Sequence, residues 1–444
     1  MTTSVLLSDL LALPLVDTRG DQVGSLVDVI VRIVGDGYPP VTGFAATVAG
    51  REVFLPRDQI GTLTGDRIEL RSAVLDVRRF TRREGEVLLK ADVLKHRMID
   101  VDEARLLQAR DVGLAEGADG IWEVRWVDTR RPTRFFGLIG GGGTAVEEDW
   151  KDFEPLLGHD SSAGFRGRFG RVSRMKPAQI ADLIEEASGQ EETELLATVK
   201  ADPELEADVF EELEPDQLTR LLSARSDEEA ADVLSRMRAD DAADAIADLP
   251  QDRRRPVLDL LPVGQRTKVL TLLGFNPASA GGLMGMDFVE VDKRATVADA
   301  LAAVRAAVGL QPEALTTIYT KTKKGRLHAT VRLSTLVQSE PETVLTELAE
   351  VDPVCVEVST DAVDVALLMS DFNLTAIPVV DADLHVLGIV TFDDILEATI
   401  PDDWRRREPA TRPDLPDEDE DSAGDSVIDA TPLSDGDASG GPAT

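Results

Sequence analysis

The sequence is poor in the residues that form covalent or metal cross-links. It contains one cysteine, Cys355, and four histidines that are scattered over 444 residues. A single cysteine cannot form a disulfide within the chain, and without cysteine pairs or closely spaced histidines we expect no structural zinc site. No combination of serine, histidine, cysteine and acidic residues typical of a hydrolase is visible either, so we predict that the protein is not an enzyme.

Basic residues and long apolar segments are also scarce. Lysine and arginine number 47, of which only ten are lysines, against 83 aspartates and glutamates, which gives a net charge of −36. Such a charge argues against nucleic acid and anionic membranes as partners, and it is compatible with binding divalent cations. No window approaches 18 uninterrupted apolar residues and nothing near the N-terminus resembles a signal peptide. We therefore expect a cytoplasmic protein with no transmembrane segment.

The first part of the chain is patterned as β-structure. A chain of this length needs several domains, and residues 5 to 80 and 87 to 157 both show short apolar runs separated by turns. Four glycines at 140 to 143 lack the lysine of a phosphate loop, so we interpret them as a flexible loop.

The two β-patterned segments resemble PRC-barrel modules, the small β-barrels related to the photosynthetic reaction-centre H subunit. The residues that carry the resemblance are 10 to 31 and 53 to 60 in the first segment, and 87 to 127 and 150 to 157 in the second. The resemblance implies two PRC-like barrels, at residues 1–82 and 83–158. Residues 159–174 are rich in glycine, serine and arginine and are typical of a linker.

The pattern becomes helical and repetitive between residues 175 and 277. Segments of about 12 residues each begin with a proline or polar residue and then carry leucines or isoleucines three to four residues apart. No single helix of this length can bury its apolar face alone, so we predict a superhelical stack. The leucines predicted to form its core are Leu221, Leu222, Leu234, Leu249, Leu260, Leu261, Leu272 and Leu273.

Residues 284 to 400 contain two halves with the same order of predicted elements. In the second half, apolar runs at 376 to 380 and 386 to 390 predict two buried strands, after which Asp393 or Asp394 would open a helix. The halves resemble a pair of α/β CBS domains, at residues 278–344 and 345–400. The acidic, proline- and glycine-rich composition from residue 401 to 444 predicts a disordered tail.

The helical segment 175–277 resembles the N domain of MgtE-type magnesium channels. Residues 279 to 284, Ser-Ala-Gly-Gly-Leu-Met, are similar to the family's join between the N domain and the first CBS domain. The sequence shows no counterpart of the family's membrane domain. In these channels Mg²⁺ occupies acidic sites between the N domain and the CBS domains. The positions of this sequence that match those sites are Asp208, Asp240, Asp244, Asp394 and Glu397.

Magnesium suits these positions on physical grounds. Mg²⁺ prefers oxygen ligands and keeps several waters, so carboxylates of two domains can share it. It would relieve their repulsion, and closure would then depend on its concentration. The alternative is that the acids only solvate helix faces, as charged runs usually do. Asn373 stands where the family often has a carboxylate, and Arg405 and Arg406 replace acids of the family's membrane-proximal sites.

CBS pairs also bind adenine nucleotides, and here the resemblance points to Thr391 and Asp394 as nucleotide-binding residues. In the first half the matching positions carry Ala329, Arg332 and Thr335, so we expect at most one intact site for ATP, ADP or AMP. Thr391 and Asp394 are equally well explained as a helix cap without a ligand.

The prediction from sequence is thus a multidomain α+β protein with small β-barrels, a helical superhelix, an α/β CBS pair and a disordered tail. We expect it to sense Mg²⁺, with or without an adenine nucleotide, and to regulate transport of magnesium or another divalent metal. The expected partners are a second copy of the chain, bound through the CBS domains, and a separate membrane transporter that could hold the protein at the membrane. The alternative is a non-catalytic scaffold whose barrels bind a partner and whose metal site is vestigial.

Overall fold

The structure, a computed structural model, describes residues 4–33, 37–62, 66–71, 82–83, 85–94, 96–117, 119–129, 133–135, 138–140, 147–155 and 170–400. The predicted tail at 401–444, most of the predicted linker at 159–174 and the glycines at 141–143 lie outside these residues.

Short, mostly antiparallel strands build the β region, which we define as the described residues between 4 and 155. Its largest sheet runs in the order β5-β4-β3-β2-β7-β6, and β8 pairs with β3. These strands are β2 (Pro14–Val16), β3 (Gln22–Arg32), β4 (Val41–Val48), β5 (Arg51–Pro56), β6 (Ile60–Thr62), β7 (Ile68–Leu70) and β8 (Glu86–Leu88). Alternating buried and exposed residues in β5 and β7 reflect a sheet with one face in the core.

Two smaller sheets and a hairpin complete the β region, in the orders β1-β11-β12-β15, β10-β9-β16 and β13-β14. Their strands are β1 (Ser4–Leu6), β9 (Arg97–Asp100), β10 (Arg105–Gln108), β11 (Asp111–Glu116), β12 (Trp122–Asp128), β13 (Thr133–Phe135), β14 (Leu138–Gly140), β15 (Glu147–Asp149) and β16 (Phe153–Pro155). A short helix α1 (Leu7–Ala12) connects β1 to β2. Because β1 pairs with β11, and one buried cluster extends from Leu7 to Phe153, the sheets share a core.

Short helices form the helical domain, residues 175–278. They are α2 (Pro177–Glu186), α3 (Gln190–Val199), α4 (Pro203–Glu211), α5 (Pro215–Ser223), α6 (Asp227–Leu234), α7 (Ala239–Asp248), α8 (Gln251–Leu260) and α9 (Val263–Leu272). Three of these begin with proline at a position where a helix has no partner for the N–H group. Helix α6 begins with a capping box between Ser226 and Glu229.

Most of the leucines predicted for this core are buried, but two of them are not. Leu260 is 48% exposed and Leu273 is 37% exposed, whereas Leu261 and Leu272 are each 3% exposed. Successive helical residues point about 100° apart. In the pairs Leu260-Leu261 and Leu272-Leu273, therefore, one residue faces the core and its neighbour faces outwards, whereas Leu221 and Leu222 are both buried.

The β region packs against the start of the helical domain. Ile99 and Leu106 belong to the buried cluster of the helical domain rather than to that of the β region. Arg97 donates to the carboxylate of Glu191 at 2.9 Å and to the backbone carbonyl of Glu186 at 3.2 Å. Apolar contacts and an ion pair therefore join the β region to the first helices of the helical domain.

After a short helix α10 (Ala280–Leu283), the chain forms two similar halves. The first half contains β17 (Glu290–Asp292), α11 (Val297–Ala306), β18 (Thr317–Lys321), β19 (Leu327–Arg332), α12 (Leu333–Val337) and β20 (Glu350–Val351). The second half contains β21 (Val356–Glu357), α13 (Ala362–Phe372), β22 (Ala376–Val380), β23 (Val386–Thr391) and α14 (Phe392–Thr399). The strand, turn, strand and helix predicted around residues 376 to 390 are confirmed.

The backbone segment that leads into each half pairs with a strand of the other half. Gly285, which precedes the first half, exchanges two backbone hydrogen bonds of 2.9 Å with Ile389 of β23. Conversely, Glu350, at the end of the first half, leads into the second half and pairs with Thr330 of β19. The two halves are therefore tied together through their connecting segments.

The join at residues 279 to 284 docks on the second half. Ala280 and Gly281 donate backbone hydrogen bonds to Thr360 and Val358, at 2.8 Å and 2.9 Å. The last turn of the helical domain crosses this join so closely that a Cβ atom on Gly282 would lie 2.3 Å from the carbonyl oxygen of Asn276. The small residues of the join are thus required by packing.

Among the helices of the described residues, none is long and apolar enough to cross a membrane.

We expect Gly282→Ala to lower the free energy of unfolding by about 1–3 kcal/mol, because the added methyl group would meet backbone that cannot move aside. Gly264→Ala is the matched control, since a Cβ at Gly264, in α9, has no neighbour within 4 Å. That change should stabilise the chain by about 0.4–1 kcal/mol. Denaturant unfolding of both variants checks the pair, and equal effects would contradict the close packing at the join.

Candidate functional site at the junction of the helical domain and the second half

Thr391 and Asp394 form a reciprocal cap at the start of α14. The Oδ2 atom of Asp394 accepts hydrogen bonds from the backbone N–H of Thr391 at 2.9 Å and from its hydroxyl at 2.7 Å. The N–H of Asp394 in turn donates to the Thr391 hydroxyl at 3.3 Å. Both residues are buried, with 4% and 8% exposure. One of the two explanations that the sequence left open, the helix cap, is thus present in the structure.

Arg238 occupies the other oxygen of the Asp394 carboxylate. Its Nη1 atom donates to Oδ1 of Asp394 at 3.0 Å, and its Nε atom donates to Asp241 at 2.6 Å. Arg238 precedes α7 and has 23% of its side chain exposed. Although burial opposes its charge, the surrounding carboxylates raise the pKa of Arg238 above its ordinary value. The guanidinium therefore remains charged and links the helical domain to the second half.

Two more groups converge on Arg238 from other elements. Glu211, at the end of α4, accepts a hydrogen bond of 2.5 Å from the backbone N–H of Arg238 and lies 3.5 Å from its guanidinium. The amide oxygen of Gln311, in the orientation that satisfies both groups, accepts from the guanidinium at 3.2 Å and 2.7 Å. Four separate segments of the chain thus meet at one arginine.

Carboxylates crowd this junction beyond what Arg238 neutralises. Burial and repulsion by Asp240, Asp248 and Glu397 raise the pKa of Asp244 to about 6, although its side chain still reaches solvent. Burial followed by repulsion from Glu397 also raises the pKa of Glu212. The negative charge of Glu397, on α14, therefore acts on Asp244, on α7, across the junction.

Asp240 lies deeper than Asp244. Its pKa is raised by burial and by the charge of Asp394, while Arg238 opposes the shift. Glu211 has its pKa raised to about 7, mainly by burial and to a smaller extent by Asp208 and Asp240. In each case the negative charge is poorly solvated, so a nearby cation would stabilise the ionised form.

Of the five residues predicted to bind metal, four lie at this junction, and Asp208 lies to one side. The strongest electrostatic neighbours of Asp208 are Glu204 and Asp202, just before it in the chain, and burial and these two acids raise its pKa. Asp208 affects the junction through its negative charge, which contributes to the raised pKa of Glu211.

The donor chemistry of the junction fits Mg²⁺, which prefers carboxylate oxygens. Within the part of the chain that the structure describes, no three acidic, histidine or cysteine side chains are close enough together to hold an ion directly. Mg²⁺ retains waters and is often bound by only one or two carboxylates. The residues therefore fit a hydrated ion shared by a pair such as Asp244 and Glu397.

Two clefts open at the two strand-to-helix corners. The one beside Arg238 has a volume of about 340 Å³ and includes Gln265, Gln311, Thr391 and Asp394 in its lining. The other, of about 850 Å³, lies at the first-half corner between Arg332 and Ser334. The larger cleft therefore lies at the corner from which the sequence predicted that ligand-binding residues had been lost.

Comparison with known families agrees with this architecture. The family described as the MgtE intracellular N domain matches residues 175–278, and the CBS domain family matches residues 345–400. Residues 175–400 are an MgtE-type N domain followed by a CBS domain pair. We call this part the MgtE-type module. The resemblance inferred from the sequence is confirmed for these residues, and the resemblance of the β region to PRC barrels stays a prediction.

The curated relatives are magnesium transporters. The chain is 38% identical over 118 residues to the magnesium transporter MgtE of Thermus thermophilus, a match that covers 27% of this chain and 26% of the relative. It is 29% identical over 126 residues to that of Enterococcus faecalis, with 28% of each chain covered. The chain thus spans about a quarter of the length of these curated relatives.

Two solved structures are similar to more than half of the chain. The cytosolic domain of the Mg²⁺ channel MgtE in complex with ATP is 30% identical, with a TM-score of 0.48, over 51% of this chain and 91% of its own. The soluble part of a magnesium transporter is 24% identical, with a TM-score of 0.49, over 53% and 91%.

Sequence reasoning missed Arg238, Glu211 and the larger cleft. Arg238 directly precedes the acidic segment that contains Asp240 and Asp244. That position was a usable signal, because a cation beside predicted metal ligands has to be accounted for. Glu211 carried no such signal, since 27 residues separate it from its partner.

The pKa shifts predict how stability depends on pH. Glu211 and Asp244 have folded-state pKa values near 7 and 6, above their unfolded values of 4.5 and 3.8. The folded state therefore binds more protons between about pH 4 and 7, and its stability falls as pH rises through that range. In EDTA, Glu211→Gln and Asp244→Asn should each flatten this fall, by on the order of 1–3 kcal/mol for Glu211. Denaturant unfolding at several pH values measures the free energy of unfolding as a function of pH. The prediction is contradicted if the variants lose as much stability between pH 4 and 7 as the unchanged chain.

Proposed function

We propose that the MgtE-type module is regulatory: it responds to Mg²⁺ and passes its state to a partner that transports magnesium or another divalent metal. The observation that carries the proposal is the set of carboxylates at the junction, Asp240 and Asp244 on α7 and Asp394 and Glu397 on α14, where burial and the neighbouring negative charges raise the pKa values of Asp240 and Asp244. The magnesium transporters to which this segment is similar support the choice of ion.

The response follows from charge. Asp244 and Glu397 repel each other across the junction, so the ionised pair opposes close contact between α7 and α14. A bound Mg²⁺ would supply the positive charge that removes this repulsion. An ion that binds only the folded junction, with α7 and α14 in place, stabilises it by about 2.7 kcal/mol at 100 times its dissociation constant. Asp208, beside Glu204 and Asp202, would add to the local negative potential that attracts the ion.

Magnesium should raise the melting temperature of the full chain relative to EDTA at equal ionic strength, which separates binding from screening. Asp244→Asn should remove most of this rise, and it should raise the melting temperature in EDTA because one repelling charge is gone. Scanning calorimetry and Mg²⁺ titration calorimetry measure both effects.

Asp259→Asn is the control for this experiment, because it removes the same charge from an exposed helix position that pairs only locally, with Arg255 at 3.0 Å. It should leave the Mg²⁺ response unchanged. A Mg²⁺ response of full size in Asp244→Asn would refute the proposed site.

An adenine nucleotide is a second proposed ligand, and the volume of the larger cleft favours it. At Thr391 and Asp394 a nucleotide would have to displace the cap and the contact with Arg238. The larger cleft instead offers Arg332 for a phosphate, and Glu350 and Asp352 for hydroxyl groups, beside apolar lining residues. We therefore favour this cleft over the Thr391–Asp394 corner.

Calorimetry with ATP, ADP and AMP separates the two positions. We expect one nucleotide per chain, and at least tenfold weaker binding in Arg332→Ala, because about 1.4 kcal/mol or more is lost with a phosphate contact. Asp394→Asn is the matched comparison and should leave the affinity unchanged. The opposite result would place the nucleotide at Thr391 and Asp394, and the absence of heat with every nucleotide would end this proposal.

Partner binding is proposed for the remaining surfaces. Exposed apolar side chains of the second half, such as Leu367 and Phe372 on α13 and Leu396 on α14, are consistent with a homodimer through the CBS domains. Light scattering that gives twice the chain mass of 48.0 kDa would support it. The β region would bind the transporter or another partner in the cytoplasm. If neither Mg²⁺ nor nucleotide binds, the scaffold alternative takes the place of the sensor.

A further inference from the structure

Arg238 lies between elements of the helical domain and α14 of the second half. Its guanidinium contacts Asp241 on α7 at 2.6 Å, Asp394 on α14 at 3.0 Å and Glu211 on α4 at 3.5 Å. All three partners are carboxylates, and Asp394 is 8% exposed. Without a cation between them, these acids would be unpaired in a poorly solvated place, which is strongly destabilising.

A guanidinium can do at this point what a divalent ion would otherwise do. It offers five N–H donors in a plane, and here it reaches three carboxylates and the amide of Gln311. It is covalently part of the chain, so it need not be captured from solution. Its charge of +1 partly neutralises the three carboxylates that it contacts, Glu211, Asp241 and Asp394, which we call the inner carboxylates. It leaves the repulsion between the outer carboxylates, Asp244 and Glu397.

A second cation of the chain links the helical domain to the first half. Lys268, on α9 of the helical domain, lies 2.7 Å and 2.6 Å from the two carboxylate oxygens of Asp287, which precedes β17 of the first half. Lys268 is one of only ten lysines in the sequence. Two independent ion pairs therefore connect the helical domain to the two halves of the CBS pair with the chain's own charges.

We propose that Arg238 is a built-in cation of this junction. Its guanidinium holds the helical domain against the second CBS domain without a divalent ion, and it confines the action of Mg²⁺ to the outer carboxylates, Asp244 and Glu397. The claim that Mg²⁺ acts only on the outer carboxylates rests on the proposed Mg²⁺ response, whereas the claim that Arg238 holds the two domains together does not.

Small-angle scattering of the full chain tests the proposal. The unchanged protein should have the same radius of gyration in EDTA and in millimolar Mg²⁺ at matched ionic strength. Arg238→Gln should be larger in EDTA and return to the original radius in Mg²⁺. Titration calorimetry should show one additional Mg²⁺ per chain in this variant. The additional ion would be bound by the inner carboxylates that Arg238 contacts in the unchanged protein.

Two further variants act as controls. Arg253→Gln removes an arginine with a comparable number of hydrogen bonds, to Asp227 and to backbone carbonyls within the helical domain. It should lose stability without opening in EDTA. Arg238→Gln combined with Asp241→Asn removes one charge of each sign, so it should be more compact in EDTA than Arg238→Gln and should bind the additional ion at least tenfold more weakly.

The outcomes separate the two proposals. Expansion of the unchanged protein in EDTA would overturn the role of Arg238 and leave the Mg²⁺ response intact. A Mg²⁺ response that appears only in Arg238→Gln would support the role of Arg238 and refute the proposed function. If Arg238→Gln is unfolded by circular dichroism in EDTA, refolding by Mg²⁺ supports the proposal, and failure to refold in Mg²⁺ contradicts it.

Discussion

The junction between the helical domain and the CBS pair depends on one guanidinium among carboxylates. Each acid near Arg238 is costly to bury alone, and each becomes acceptable because the same cation reaches it. The local order of the chain follows from this constraint. Helix α7 begins directly after Arg238, α4 ends at Glu211, and α14 presents Asp394 on its first turn.

Under the proposed function, the same constraint allows the junction to be both stable and responsive to Mg²⁺. The inner carboxylates are joined by short, charge-assisted hydrogen bonds, while the outer ones repel and stay accessible to solvent. Helix α7 carries both sets, and its alanines let it pack closely in the helical domain, where Ala242 and Ala243 are buried. Asp244 therefore lies on the same closely packed helix that Arg238 anchors.

The two halves of the CBS pair have diverged at equivalent corners. In the second half, Thr391 and Asp394 are engaged in a cap and an interdomain contact. The same kind of box caps α11 through Thr296 and Asp299 and caps α6. A hydroxyl residue followed three positions later by an acid is thus a helix-starting device in this chain, and it marks a ligand site only where a second observation supports one. In the first half the corner lacks such an acid, and a large cleft lies there instead.

The sequence by itself determined the elements whose signals are local. Helical periodicity, prolines at helix starts and the apolar runs around residues 376 to 390 predicted helices and strands that the structure contains. Motifs such as Ser-Ala-Gly-Gly-Leu-Met at residues 279 to 284 carried the resemblance to the family. Only the tertiary structure decided which of the predicted core leucines, Leu260 and Leu273, face outwards and which corner is open. It alone brought Arg238 to Asp394, 156 residues away. Local signals arise from neighbours within a turn or two, whereas the neutralisation of buried charge depends on segments that meet only when the chain is folded.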